Sequence, residues 1–212
     1  MAEEKQGIKE KQRMIVGVSG ATGLVYAARA LEVLRSLNVE THLIVSRAAE
    51  LMRAYESSLS RKDLEKLADV VYPVNDVGAP ISSGSFRTLG MLIAPCSMRS
   101  LAEIASGVTA SLLTRAADVV LKERRKLVLM VREAPLTLIH LRNMATVTET
   151  GGVIFPPVPA FYMRPTTIDE LVDHSVGRAL DQFGLHTETF PRWNEEFRRK
   201  QFKGAPPVNS EE

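Results

Sequence analysis

The sequence predicts an α/β protein, a three-layer, doubly wound parallel sheet of Rossmann or flavodoxin-like type. Three observations predict it. Short apolar runs recur along the chain, helical stretches separate them, and the first run passes through a glycine turn into an amphipathic helix. The runs MIVGVS (14–19), THLIVS (41–46), MLIAPCS (91–97), KLVLMVR (126–132) and GVIFPP (152–157) are apolar almost throughout rather than alternating. Strands covered on both faces read that way.

The first run enters SGATG and then a helix over 24–37, and 47–59 reads as a second helix after THLIVS. VVYP (70–73) offers a further short strand, followed by a long loop of small residues, NDVGAPISSGSFRT (75–88), of the kind that often carries function. Helical stretches at 100–105 and 112–125 join the third and fourth main runs, 138–150 leads to the fifth, and 168–183 closes the pattern. No repeat or low-complexity linker interrupts it. The reading is therefore one domain over 13–194 with polar tails at 1–12 and 195–212.

Composition narrows the function classes. The 212 residues are 45% hydrophobic and 25% charged, with a formal charge of +2. That is too nearly neutral to suggest a nucleic-acid or membrane-surface protein. A single cysteine, Cys96, allows no internal disulfide, and the start MAEEKQGIKEKQR lacks the apolar core of a signal peptide. No apolar run approaches a bilayer span. A cytoplasmic protein is expected.

Ligands of such sheets sit beyond the carboxyl ends of the strands. That rule gathers residues 20–23, Ser46, 96–100, 132–135 and the prolines after Phe155 at one edge. GVSGATG is not the dinucleotide fingerprint, because Val18 stands where a glycine is needed and Ser46, not an acid, ends the second run. A mononucleotide fits better. Ser19 and Thr22 offer hydroxyls, and the amides at the helix start offer donors at a positive dipole end. The turn alone does not separate a phosphate cradle from a tight packing turn. Ala21 also rules out a nucleophile elbow.

Cys96, without a histidine beside it in sequence, reads as a small buried residue before it reads as a nucleophile. His42, His140, His174 and His186 show no metal spacing. TRAADVVLKERR places Arg115 and Lys122 on one helical face, by itself an ion-paired surface. In VREAP, Arg132 and Glu133 end an apolar strand at the ligand edge, as anion and proton handlers or as a loop ion pair. PPVPAFYMRP is a donor-poor, preorganised segment ending in Tyr162 and Arg164.

Taken together, GVSGATG, IVSRAAE, SSGSFRTLGMLIAPCSMRSL, LLTRAADVVLKERRKLVLMVREAPL, HLRNM, GGVIFPPVPAFYMRP and PRW resemble the UbiX-type flavin prenyltransferases, within the homo-oligomeric flavin-containing cysteine decarboxylase superfamily. The resemblance covers residues 14–193. It implies that reduced FMN is alkylated by dimethylallyl phosphate at N5 and C6, releasing phosphate without a metal. It also implies a homododecamer whose product serves a UbiD-type decarboxylase.

Carried over by motif, Gly20, Ala21 and Thr22 are expected on FMN, with Ser46 near its phosphate or ribose. Ser97, Met98, Arg99, Ser100 and Arg132 are expected to complete that pocket. Lys122, Tyr162 and Arg178 are expected on the donor phosphate, with Arg115 in the same basic cluster. Glu56 and Glu133 match the family's active-site carboxylates, and Trp193 a tryptophan that helps close the site. Many relatives carry serine where this chain has Thr22; both offer an O–H, and the extra methyl alters rotamer preference.

The resemblance leaves two rivals. One is an FMN-dependent decarboxylase of aromatic acids or peptidyl cysteine. Its Pro-Ala-Ser-Ala-Asn-Thr pattern is replaced by PCSMRS, with Arg99 where the carboxylate-holding asparagine belongs. The histidine it needs between the second and fourth strands is missing between His42 and His140. The other is a non-catalytic flavoprotein subunit, which need not keep Glu56, Lys122, Glu133, Tyr162 and Arg178 together.

Overall fold

The structure is a computed structural model that describes residues 11–194, 196, 197 and 199. The tails expected at 1–12 and 195–212 therefore lie almost wholly outside the described residues.

Six strands form one parallel sheet: β1 (Arg13–Val18), β2 (Glu40–Val45), β3 (Val70–Tyr72), β4 (Gly90–Cys96), β5 (Lys126–Val131) and β6 (Val153–Ile154). Their order is β3-β2-β1-β4-β5-β6. The chain reverses direction across the sheet between β1 and β4, where an open α/β sheet leaves a crevice.

The apolar runs are continuous because both faces of the sheet are covered. In β1, Met14, Val16 and Val18 pack into one core and Ile15 into the other. In β5, Val128 and Met130 face the first core while Leu127, Leu129 and Val131 face the second. The first core is closed by α1 (Leu24–Ser36) and α7 (Ile168–Asp181), with Ala49 of α2 (Arg47–Glu56) and Leu64 of α3 (Arg61–Lys66). The second is closed by α4 (Met98–Ala105), α5 (Leu112–Lys122) and Val147 of α6 (Leu138–Glu149).

Helix α3 was not expected from the sequence. Six residues are too few for a periodic signal, but Ser60 and Asp63 close a reciprocal capping box at its start. The 75–88 loop, expected to be functional, is mostly the crossover from β3 to β4. Ala79 and Ile81 are buried in the second core, and Arg125 donates to the carbonyls of Gly84 and Phe86 at 2.5 and 2.7 Å. Only its first residue, Asn75, reaches a cleft at the ligand edge.

Helix α6 buries Val147 alone, leaving Leu138, Ile139 and Leu141 exposed, and Leu51, Tyr55 and Phe161 are exposed elsewhere. Among the described residues no helix is long and apolar enough to cross a membrane.

Candidate active site

Two clefts open at the carboxyl edge of the sheet, and both touch the loop after β1. The first, of about 310 Å³, sits at the reversal between β1 and β4 and is lined by Gly20, Ser46, Asn75, Ser97, Arg99, Ser100 and Ser111. Three helices begin there. The hydroxyl oxygens of Ser46, Ser97 and Ser111 accept from the amides of Ala49, Ser100 and Thr114 at 3.1, 3.3 and 3.3 Å, capping α2, α4 and α5. Converging helix starts and hydroxyls suit an anion. Gly20 lets the turn after β1 pack closely on α2, because a Cβ there would stand 2.4 Å from that of Ala48.

The second cleft, of about 520 Å³, is lined by Thr22, Gly23, Tyr26, Glu56, Ser57, Arg132 and Pro157. Its organising group is Glu56, the last residue of α2. Glu56 accepts from the Leu24 amide at 2.8 Å, from the Gly23 amide at 3.0 Å through each oxygen, and from the Thr22 hydroxyl. Gly23, at φ 115°, has no side chain to cap α1, so Glu56 does so from a distant part of the chain.

Of the two readings left open for the glycine turn, the phosphate cradle needs the donors at the start of α1 to be free. Those donors already hold a carboxylate. A second anion about 4 Å away would be repelled by roughly 1–4 kcal/mol across a water-like to surface-like dielectric. Ser19 is likewise committed. Its hydroxyl donates to the Pro95 carbonyl at 3.0 Å and accepts from the Ser97 amide at 2.7 Å, joining the ends of β1 and β4.

Other expected residues divide. Ala21 does not line either cleft; its amide donates to the Ser19 carbonyl at 2.8 Å and tightens the turn. Met98 packs against the second core rather than into a cleft. Cys96 is fully buried, and burial pushes its thiol up to about 12, so it is no nucleophile at neutral pH. Arg132 lines the second cleft, while Glu133 is exposed beside it and accepts from the Ala134 amide at 3.0 Å.

Tyr162, Arg178 and Trp193 form a separate cluster. The Tyr162 hydroxyl lies 3.1 Å from His174 Nε2, its ring meets Trp193 edge-on at 5.5 Å, and Arg178 follows His174 by one turn of α7. Burial and Arg178 push the His174 imidazole below its ordinary value, against Asp181. Arg115 pairs with Asp118 at 2.8 Å and Lys122 with Glu123 at 2.6 Å. Lys122 ends α5 just before β5 opens, at the amino edge of the sheet. Within one chain, then, Lys122 does not join Tyr162 and Arg178, and none of the three lines either cleft.

Sequence reasoning missed Tyr26, Ser57, Ser111 and His174 as site residues, and reached Asn75 only as the first residue of the 75–88 loop. Ser111 had a signal, the Ser-x-x-Thr spacing of its capping box with Thr114. Tyr26 had none, being one more residue of an amphipathic helix. Burial raises its hydroxyl's pKa, opposed by Arg132 across the cleft. Among the described residues no cluster of His, Cys, Asp or Glu could hold a metal ion.

Comparison with known proteins places the chain in a family. The flavoprotein family model matches residues 2–180. The flavin prenyltransferase UbiX of Neisseria meningitidis serogroup B is 58% identical over 182 residues, covering 86% of this chain and 96% of the relative. The flavin prenyltransferase UbiX of Escherichia coli K12 is 52% identical over 185 residues, covering 86% and 98%. A crystal structure of AnUbiX (PadA1) in complex with FMN and dimethylallyl pyrophosphate superposes with a TM-score of 0.86 at 53% identity, covering 87% of this chain and 98% of that one. A dodecameric FMN-dependent UbiX-like decarboxylase from Escherichia coli O157:H7 superposes at 0.84 with 49% identity, covering 86% and 100%.

Proposed function

We infer the reaction from one premise: this chain belongs to the flavoprotein family and, within it, to the UbiX-type flavin prenyltransferases. It transfers a dimethylallyl group to reduced FMN. The observation that carries the reading is the pair of clefts that both touch the loop after β1, one walled by helix starts and hydroxyls, the other by Tyr26, Arg132 and the Thr22–Glu56 pair.

The residues present fit FMN. The helix starts at Ser46, Ser97 and Ser111 suit its phosphate, with Gly20 beside them, and Arg99, paired with Glu103 at 2.9 Å, lies at the same cleft. The larger cleft is within the ordinary volume of a cofactor site and offers Tyr26 and Arg132 to the ring system. A single domain spanning 13–194 carries both.

The flavin supplies N5 as first nucleophile and C6 as the second atom bonded. Lys122, Arg178 and Tyr162 bind and neutralise the donor phosphate as its C–O bond breaks, the electron pair leaving on oxygen. Aromatic walls keep water from the allylic carbon while positive charge develops there. The N5 and C6 hydrogens are then lost. One proton is returned to the prenyl alkene carbon and one leaves with phosphate, and Glu133 and the Thr22–Glu56 pair are the groups placed to carry them.

Because Lys122 and the Tyr162–Arg178 cluster stand apart from the clefts in one chain, the reading requires neighbouring copies to complete the site. The exposed apolar residues of α6 suit contacts between copies, and a relative 49% identical is dodecameric. A UbiD-type decarboxylase is the proposed recipient of the product. A reducing cytoplasm suits a chain with one cysteine.

The test is anaerobic incubation with reduced FMN and dimethylallyl phosphate or diphosphate, followed by mass analysis of the flavin. The expected product is FMN enlarged by one five-carbon unit, with phosphate released one for one from the monophosphate donor and diphosphate from the diphosphate donor. An unaltered flavin would overturn the reading, and carbon dioxide released from an aromatic acid under the same conditions would favour the decarboxylase.

A further inference from the structure

We propose that His174 is a positioning residue for prenyl transfer: its Nε2–H donates to the Tyr162 hydroxyl oxygen and so turns that hydroxyl's own proton toward the donor phosphate. The proposal rests on the donor-phosphate role given above to Tyr162 and Arg178.

A tyrosine hydroxyl has one proton. If Tyr162 spends it on His174, an oxygen lone pair faces the incoming anion and repels it. If His174 is the donor, the Tyr162 oxygen is satisfied from behind and its proton is free for phosphate. The 3.1 Å separation of Tyr162 Oη and His174 Nε2 permits either direction. The anion decides between them.

The surroundings hold the imidazole in place. Its ring meets Tyr162 edge-on at 5.9 Å, and Phe190 packs edge-on at 5.0 Å. Trp193 in turn meets Tyr162 at 5.5 Å, so the phenol ring is held by two neighbours. Burial and the Arg178 charge keep the imidazole neutral, so a single N–H has to be placed on one nitrogen or the other. One helical turn on, Arg178 supplies the charge that a correctly aimed Tyr162 complements.

Four variants assayed at saturating reduced FMN with varied dimethylallyl phosphate test the assignment. His174→Leu should raise KM for the prenyl donor about tenfold, the effect of one misdirected hydrogen bond to an anion, and leave the FMN Kd unchanged. His174→Gln, whose amide N–H reaches the Nε2 position, should stay within about threefold of wild type. His174→Asn reaches only the Nδ1 position and should resemble the leucine variant. In a Tyr162→Phe background, His174→Leu should add less than about twofold, because the group it orients is gone.

A wild-type KM for His174→Leu would overturn the proposal, as would a glutamine variant no better than asparagine, or the full loss repeated in the Tyr162→Phe background. The Gln–Asn comparison keeps the test decisive if the leucine variant fails to fold. Mass analysis of the wild-type product separates the two failures. If wild type makes prenylated flavin and His174→Leu matches it, only the His174 role falls; if wild type makes none, the functional reading falls with it.

Discussion

Glu133→Gln should bind FMN as tightly as wild type and turn over about 10²–10⁴ times more slowly, the usual contribution of a positioned proton-transfer group. Glu133 follows β5 at the ligand edge, next to Arg132 in the larger cleft. Its carboxylate accepts from the Ala134 amide at 3.0 Å, a bond that the carbonyl of glutamine can keep. The side chain is exposed, so the exchange disturbs no core. What is lost is the capacity to take up and release a proton while the carbon–carbon bond at C6 closes. Calorimetry with FMN and anaerobic single-turnover spectra check the two halves. A wild-type rate would remove Glu133 from the proton path.

Arg178→Ala should raise KM for dimethylallyl phosphate about 10–100-fold, as expected for losing a charge-assisted hydrogen bond to an anion, and leave FMN binding within about twofold. The fold should survive the change. Arg178 does pair with Asp181 at 3.0 Å, but Arg192 holds the same carboxylate through two nitrogens at 2.8 and 2.9 Å. Asp181 is largely buried, but it keeps its paired guanidinium in Arg192 when Arg178 is removed. A lysine at 178 should recover part of the loss, keeping the charge but not the fork. Donor titrations against FMN-loaded protein read both effects, and equal losses for donor and FMN would contradict the assignment.

The central strands β1, β4 and β5 were legible because each is buried on both faces, which leaves a continuous apolar run. The ligand edge was legible too: Gly20, Ser46, Ser97 and Arg132 all sit at carboxyl ends, as the topology of a parallel sheet requires. What local patterns could not show was commitment. The amides of Gly23 and Leu24 looked available, yet they belong to Glu56, more than thirty residues away in sequence. Ser19 looked like a ligand hydroxyl and is a brace between β1 and β4. Helix α3 was too short for periodicity to register, and the 75–88 segment, read as a functional loop, carries buried Ile81 as a crossover.

Lys122 shows a different limit. Its place just before KLVLMVR already put it at the amino edge of the sheet, whereas the family resemblance put it on the donor phosphate. Both hold if a second copy brings its own Lys122 to the site, and that sharing is the central claim of the proposed mechanism.

Mixed oligomers test it most directly. Lys122→Ala and Arg178→Ala chains, each impaired alone, should be co-expressed, purified as hybrids and assayed for prenylated FMN. If the two side chains meet from different copies, some sites in a hybrid hold both wild-type residues, and activity should rise well above that of either variant alone. Hybrids no more active than the average of the two variants would contradict it, because a site built within one chain cannot be repaired by its neighbour.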